Sequence, residues 1–238
     1  MKYLIAGAKR TGTTLLCAVL ANAGANFGFP RNREWFRGSG DYEHQLMLDN
    51  YKHLKRARSV AAISDRLARR EHNTIEANLR TLLEQVDYIK YPPLSEYLPV
   101  HVKRTGNDLN LIVVIRKFND FALSSISKGG GVASDLSSIY LDTYRTHLLN
   151  LHLYGGCVLF YEQIVDARET AWTARLSEVT GIDAAALLQA RADIIKPTTS
   201  SNKIGEVIIS EECDELYRTF QQIATEIYSS DKRKQHKS

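Results

Sequence analysis

The 238-residue sequence is sparing with cysteine (3), methionine (2), tryptophan (2) and proline (5). The cysteines, Cys17, Cys157 and Cys213, are odd in number and unpatterned, which excludes a disulfide framework and a zinc-binding spacing. They read as reduced thiols in a cytoplasmic protein. No apolar run approaches the ~20 residues that cross a bilayer, so a membrane span is excluded. The N-terminal run YLIA is too short for a secretory core, so no export signal is expected. Neither charge sign dominates: 31 basic against 27 acidic residues leave +4. That excess suits an anionic small ligand but is too slight to argue for nucleic acid.

What is present describes an ordinary globular chain, 44% hydrophobic and 24% charged. The length fits one domain over 1–229, ahead of a basic, disordered tail at 230–238. Strand and helix signals alternate along it. Apolar runs predict strands at 3–6, 86–91, 109–116 and 157–162, and LNLIVVIR is apolar enough for a strand buried on both faces. Helices are predicted over 14–26, 41–57, 60–85, 119–127, 135–154, 163–180 and 210–228. Loops fall at 27–40 and 195–205, and Pro92-Pro93 stops the second strand. This alternation implies a three-layer α/β/α sandwich around a central parallel sheet, like that of the P-loop NTPases. Ligands of such sheets collect at the carboxyl ends of the strands.

The first such strand end carries Gly7-Ala8-Lys9-Arg10-Thr11-Gly12-Thr13-Thr14, whose G-x-x-x-x-G spacing between strand and helix suits a phosphate. Glycines let the backbone wrap an anion, and the helix N-terminus adds free amides and a favourable dipole. Thr11, Thr13 and Thr14 bring hydroxyls, and Lys9 and Arg10 bring charge. A Walker A loop would place lysine after the second glycine, where Thr13 stands. The strand LIVVI ends in Arg116 rather than in a carboxylate for Mg²⁺, and YIKY carries Lys90. Cations at these places point to a phosphate ester handled without a metal and weigh against a divergent ATP-dependent kinase.

Arg10-Thr11-Gly12-Thr13-Thr14 resembles the 5′-phosphosulfate loop [KR]-[ST]-G-[ST]-[ST] of the sulfotransferases, whose donor is 3′-phosphoadenosine 5′-phosphosulfate (PAPS). Their second signature is an arginine after a buried strand, an aspartate four residues on and a serine eight residues on. Arg116, Asp120 and Ser124 occupy those offsets in VVIRKFNDFALSS. GSGDYEH at 38–44 is similar to the G-x-x-E segment of small bacterial sulfotransferases, and Tyr161-Glu162 to a Y-E-[DQ] motif. Two departures stand out: Phe118 where the family has proline, and no R-K-G run near the C-terminus, for which Lys203 is a substitute candidate. The resemblance implies a PAPS-dependent enzyme without a metal. The loop from Lys9 to Thr14 would take the 5′ end of the donor, and Arg116 and Ser124 the 3′-phosphate.

Moving a sulfuryl group from phosphate to an acceptor oxygen or nitrogen needs donors aimed at the leaving phosphate and a base for the acceptor proton. Arg10 fits the first role. Glu43 is the first candidate for the second, with His44, Glu34 and His101 also open. Lys90 either faces the sulfate or snorkels. His147 and His152, five residues apart on a helix, do not share a face and do not suggest a metal site. The acceptor is a small molecule or a carbohydrate, and oligomeric state is not legible. A binding module that kept the nucleotide pocket but lost its base is the other reading.

Overall fold

Four short apolar segments pair side by side into a parallel sheet, as their near-continuous hydrophobicity demands. In the computed structural model, which describes residues 1–30, 42–195 and 208–235, the strands are β1 (Lys2–Ala6), β2 (Tyr88–Lys90), β3 (Leu109–Ile115) and β4 (Gly156–Phe160), in the order β2-β1-β3-β4. β1 aligns Ile5 with Lys90 on one side and with Ile112 on the other. Val113 and Ile115 of β3 align with Val158 and Phe160 of β4.

Strand residues alternate between two cores. Ile5, Ile112, Val114, Cys157 and Leu159 pack beneath α1 (Thr13–Asn22) and, later in the chain, α8 (Ala171–Thr180) and α9 (Ala184–Ile194). Leu4, Ala6, Val113, Ile115 and Phe160 face the opposite layer. That layer comprises α2 (Gln45–Ala61), α3 (Asp65–Leu83), α4 (Leu98–Arg104), α5 (Phe118–Ile126), α6 (Ala133–Tyr154) and α10 (Glu211–Gln235). A five-residue helix, α7 (Tyr161–Val165), follows β4 directly. The expected sandwich with a central parallel sheet is therefore present.

Several predicted boundaries move. The first helix ends at Asn22 rather than 26, because Gly24 takes a left-handed backbone (φ 95°). The helix expected over 163–180 is broken into α7 and α8, with Asp166 turned back onto the Arg168 N–H between them. The fourth strand stops at Phe160, so Tyr161 and Glu162 open a helix instead of closing a strand. Two helices, α4 and α9, lie where the sequence pattern predicts none. The helix expected over 210–228 continues to Gln235, into the segment expected to be a tail.

The order β2-β1-β3 places successive crossovers on opposite sides of β1. The carboxyl end of β1 is thus a topological switch point, where a crevice opens above the sheet. The loop 7–12 and the first turn of α1 occupy it.

Candidate functional site

The loop after β1 is held from within. Thr11 is fully buried, and its hydroxyl donates to the Ala8 carbonyl at 2.7 Å. This threonine therefore braces the loop through its side chain, and its hydroxyl is committed before any ligand arrives. A Cβ on Gly7 would lie 2.5 Å from the Val114 carbonyl, and one on Gly12 (φ 94°) would run into the Tyr161 ring. Arg10 itself holds a left-handed backbone at φ 75°, a strained conformation for a residue with a side chain. Such strain persists where surrounding contacts over-determine it.

Gly12 begins α1 without a side-chain cap, and no acidic residue stands in the first turn. The amides of this turn are the donors a helix N-terminus offers to an anion. They open into a cleft of about 190 Å³ lined by Gly12, Thr13, Thr14 and Leu15 on one wall. Arg116, Ser124 and Tyr161 form the other, with Arg10 between them.

Arg116 lies just past the end of β3. Its guanidinium stacks on the Tyr161 ring at 4.4 Å from the centroid. One terminal nitrogen donates to the Arg10 carbonyl at 3.3 Å, while Nε is buried and has no hydrogen-bond partner among the described residues. Ser124, two turns into α5, accepts from Arg10 Nε at 3.3 Å. Arg10, Arg116 and Ser124 thus converge from three elements. Asp120, the middle member of the predicted spacing, sits in the first turn of α5.

The strand end that carries Arg116 is clamped. Tyr144 and Tyr140 of α6 donate their hydroxyls to the Val114 and Arg116 carbonyls, each at 2.7 Å. Glu162 accepts from the Lys117 N–H at 2.9 Å with one oxygen and from the Tyr217 hydroxyl of α10 at 3.0 Å with the other. Burial pushes the Tyr140, Tyr144 and Tyr217 phenols well above their ordinary range, so they act only as neutral donors here. Phe118, the departure from proline, is buried against Phe121 and Tyr140 and starts α5 by packing.

On the opposite flank, Lys90 at the end of β2 reaches Thr14 Oγ1 at 3.1 Å and Glu43 Oε1 at 3.0 Å. Its side chain is only 3% exposed and that of Glu43 18%. A buried lysine is retained where it is paired, and here the pairing joins the loop helix to the first candidate base. Behind it, burial lifts the Cys17 thiol to about 12, which leaves it inert as a nucleophile.

The remaining candidates separate. Lys9 is exposed and lines a neighbouring cleft with Ala8 and Pro92, not the one at Gly12. His44 is buried at the start of α2, near Gly28. His101 lies on α4, stacked on His72 and 3.6 Å from Glu76, away from the loop. Burial, with His72 second, holds its pKa down. Glu34 and Lys203 fall outside the described residues, as does part of GSGDYEH. Among the described residues no group of three or more His, Cys, Asp or Glu is placed to hold a metal ion, and no helix is long and apolar enough to cross a membrane.

Sequence comparison is silent: no family profile matches the chain, and no curated protein sequence matches it. Structural comparison is not. The sulfotransferase domain of the Synechococcus PCC 7002 olefin synthase superposes with a TM-score of 0.51, covering 92% of this chain and 94% of that one. The fold is that of a sulfotransferase domain. Identity over the match is 15%, so the likeness is one of architecture, and the chemistry rests on the side chains above.

Proposed function

We propose that this chain is a PAPS-dependent sulfotransferase acting on a hydroxyl or amine. The observation that carries the reading is the pairing, in one cleft, of an uncapped helix N-terminus with Arg116, whose buried Nε lacks a partner among the described residues. A buried donor left unpaired costs about 1–3 kcal/mol, and a phosphate oxygen would satisfy it. Three cationic or amide groups on two walls suit a ligand with anionic groups at both ends.

In this reading Arg116 and Ser124 hold the 3′-phosphate, and Arg116 grips it with the fork geometry that suits a phosphate. The amides of Gly12, Thr13 and Thr14, with Arg10, meet the 5′ end. The donor supplies the sulfuryl group. In the transfer, the bond from sulfur to the phosphate oxygen breaks as one from sulfur to the acceptor oxygen or nitrogen forms. The acceptor proton passes to Glu43, whose carboxylate is oriented by Lys90. Negative charge grows on the departing phosphate, and Arg10 and the first turn of α1 stabilise it. Loss of one such donor typically costs roughly 10²–10³-fold in rate. The free, buried thiols of Cys17, Cys157 and Cys213 suit a reducing compartment such as the cytoplasm.

Calorimetric titration with 3′,5′-ADP, 5′-AMP and Mg·ATP tests this on wild type and Arg116→Ala. The expected result is tight 3′,5′-ADP binding, much weaker 5′-AMP binding, and loss of that preference in the variant. Equal binding of all three, or preference for Mg·ATP, would refute the reading and favour a kinase.

A further inference from the structure

A second cleft, of about 400 Å³, adjoins the first and shares Arg10 with it. It opens on the other side of the loop, between Pro92 and Pro93 beyond β2 and the facing helices α5 and α6. Its volume lies within the range of small-molecule sites. Any group bound there lies across Arg10 from the uncapped start of α1.

The chemistry of its walls is selective. Ala8, Pro92, Pro93, Phe121, Leu136 and Ile139 make them largely apolar. The hydroxyls in the wall are already committed: Ser125 donates to the Phe121 carbonyl at 2.8 Å, and Thr143 donates to Glu96 at 2.9 Å. A carbohydrate presents several hydroxyls, each needing a partner once water is displaced; the apolar walls offer few, and the cations that could serve, Lys9, Arg10 and Lys128, are exposed to water. An apolar ring or chain loses nothing by contact with them and gains from burial. Among the described residues the charged groups at the cleft are Lys9, Arg10 and Lys128, against Glu96 alone. That surplus opposes a protonated amine and leaves a neutral alcohol or phenol acceptable.

We propose that this cleft is the acceptor site and that it takes an apolar alcohol or phenol rather than a carbohydrate or an amine. The proposal rests on the PAPS reading and narrows it. The hydroxyl of such a molecule reaches across Arg10, the residue common to both clefts, to the α1 side. There it meets the sulfuryl group and passes its proton to Glu43, while the hydrocarbon body of the molecule lies against Phe121, Leu136 and Ile139.

The test measures sulfuryl transfer from radiolabelled PAPS to 2-naphthol, 1-octanol, octylamine, methyl glucoside and N-acetylglucosamine, with 3′,5′-ADP binding measured by calorimetry on the same preparations. The key variant is Ile139→Glu, at a residue 50% exposed, where folding tolerates the charge. Ile63→Glu, at an 84% exposed site remote from the cleft, is the control. The expected outcome is transfer to 2-naphthol or octanol, with KM raised roughly tenfold or more in Ile139→Glu through a charge set against an apolar body. Binding of 3′,5′-ADP should stay unchanged in both variants. Preferred transfer to the sugars or octylamine, or an unmoved KM in Ile139→Glu, would overturn the acceptor assignment while 3′,5′-ADP binding left the donor reading standing. Failure of wild type to bind 3′,5′-ADP would overturn both, and calorimetry separates that case.

Discussion

The ion pair between Lys90 and Glu43 makes the sharpest quantitative prediction. At 3.0 Å and an effective dielectric near 20, the gross attraction is about 5 kcal/mol. Desolvation opposes it, because Lys90 is almost wholly enclosed while Glu43 keeps some contact with water. The net coupling should therefore be about 1–3 kcal/mol. Lys90→Met preserves length and volume, so little of its effect comes from a cavity. It leaves a partly hydrated carboxylate and removes the donor to Thr14 Oγ1. Glu43→Gln keeps an acceptor for the ammonium but loses the charge. Urea unfolding of wild type, both single variants and the double variant, followed by far-ultraviolet circular dichroism, gives the coupling directly. Lys90→Met should also weaken 3′,5′-ADP binding about tenfold, equivalent to 1.4 kcal/mol, through loss of a cation behind the first turn of α1. Additivity within about 0.3–0.5 kcal/mol would show that the two residues do not act together. The positioning of Glu43 by Lys90 would then be wrong.

Three further outcomes follow from the geometry. Gly12→Ala should weaken 3′,5′-ADP binding by at least roughly tenfold, since a left-handed alanine costs about 1–3 kcal/mol before the clash with Tyr161 is counted. Because Tyr161 also carries Arg116, the comparison is made within one background. Gly12→Ala should cost less binding when added to Tyr161→Ala than when added to wild type, and an equal cost in calorimetry would refute the steric account. Glu162→Gln should destabilise the fold by about 1–3 kcal/mol in denaturant titrations, because an amide has one accepting oxygen where the carboxylate uses two, for Lys117 N–H and for Tyr217. His147 is fully buried, and burial lowers its pKa to about 3. The unfolded chain, with a histidine near 6.5, binds one more proton between those values. Its contribution is complete above pH 6.5 and is lost on acidification at up to about 1.4 kcal/mol per pH unit. His147→Leu should flatten the acid limb of stability against pH, and an unchanged limb would contradict the assignment.

Features encoded by short-range pattern are legible in the amino-acid sequence. LNLIVVI reads as a buried strand because both of its faces are covered, and the spacing Arg116 to Ser124 survives because a turn and two helical turns connect them rigidly. α4 is hidden by Pro92-Pro93 and by Pro99, although proline is tolerated in a first helical turn. α9 carries its own signal, Asp183 accepting from the Ala186 N–H at 3.0 Å, but lies just beyond the glycine that ends α8. The link from Glu43 to Lys90 spans 47 positions and exists only because β2 lies beside β1. The Thr11 hydroxyl, a natural ligand by type, is turned inward by the loop's own curvature. No local pattern distinguishes those two outcomes.

Glu162 ties the turn after β3 to Tyr217, and this has a consequence for biosynthesis. The turn carrying Arg116 leaves the ribosome with its support in α10 still roughly 100 residues away, a delay of about 5–20 s at ordinary elongation rates. Through that interval β1 and α1 are made while the segment carrying Arg116 lacks its last tether. The nascent chain therefore passes through a stage that holds every cationic side chain of the crevice without the arrangement that gives them their grip. Anion affinity should appear late and abruptly, on docking of the final helix, rather than grow in step with chain length.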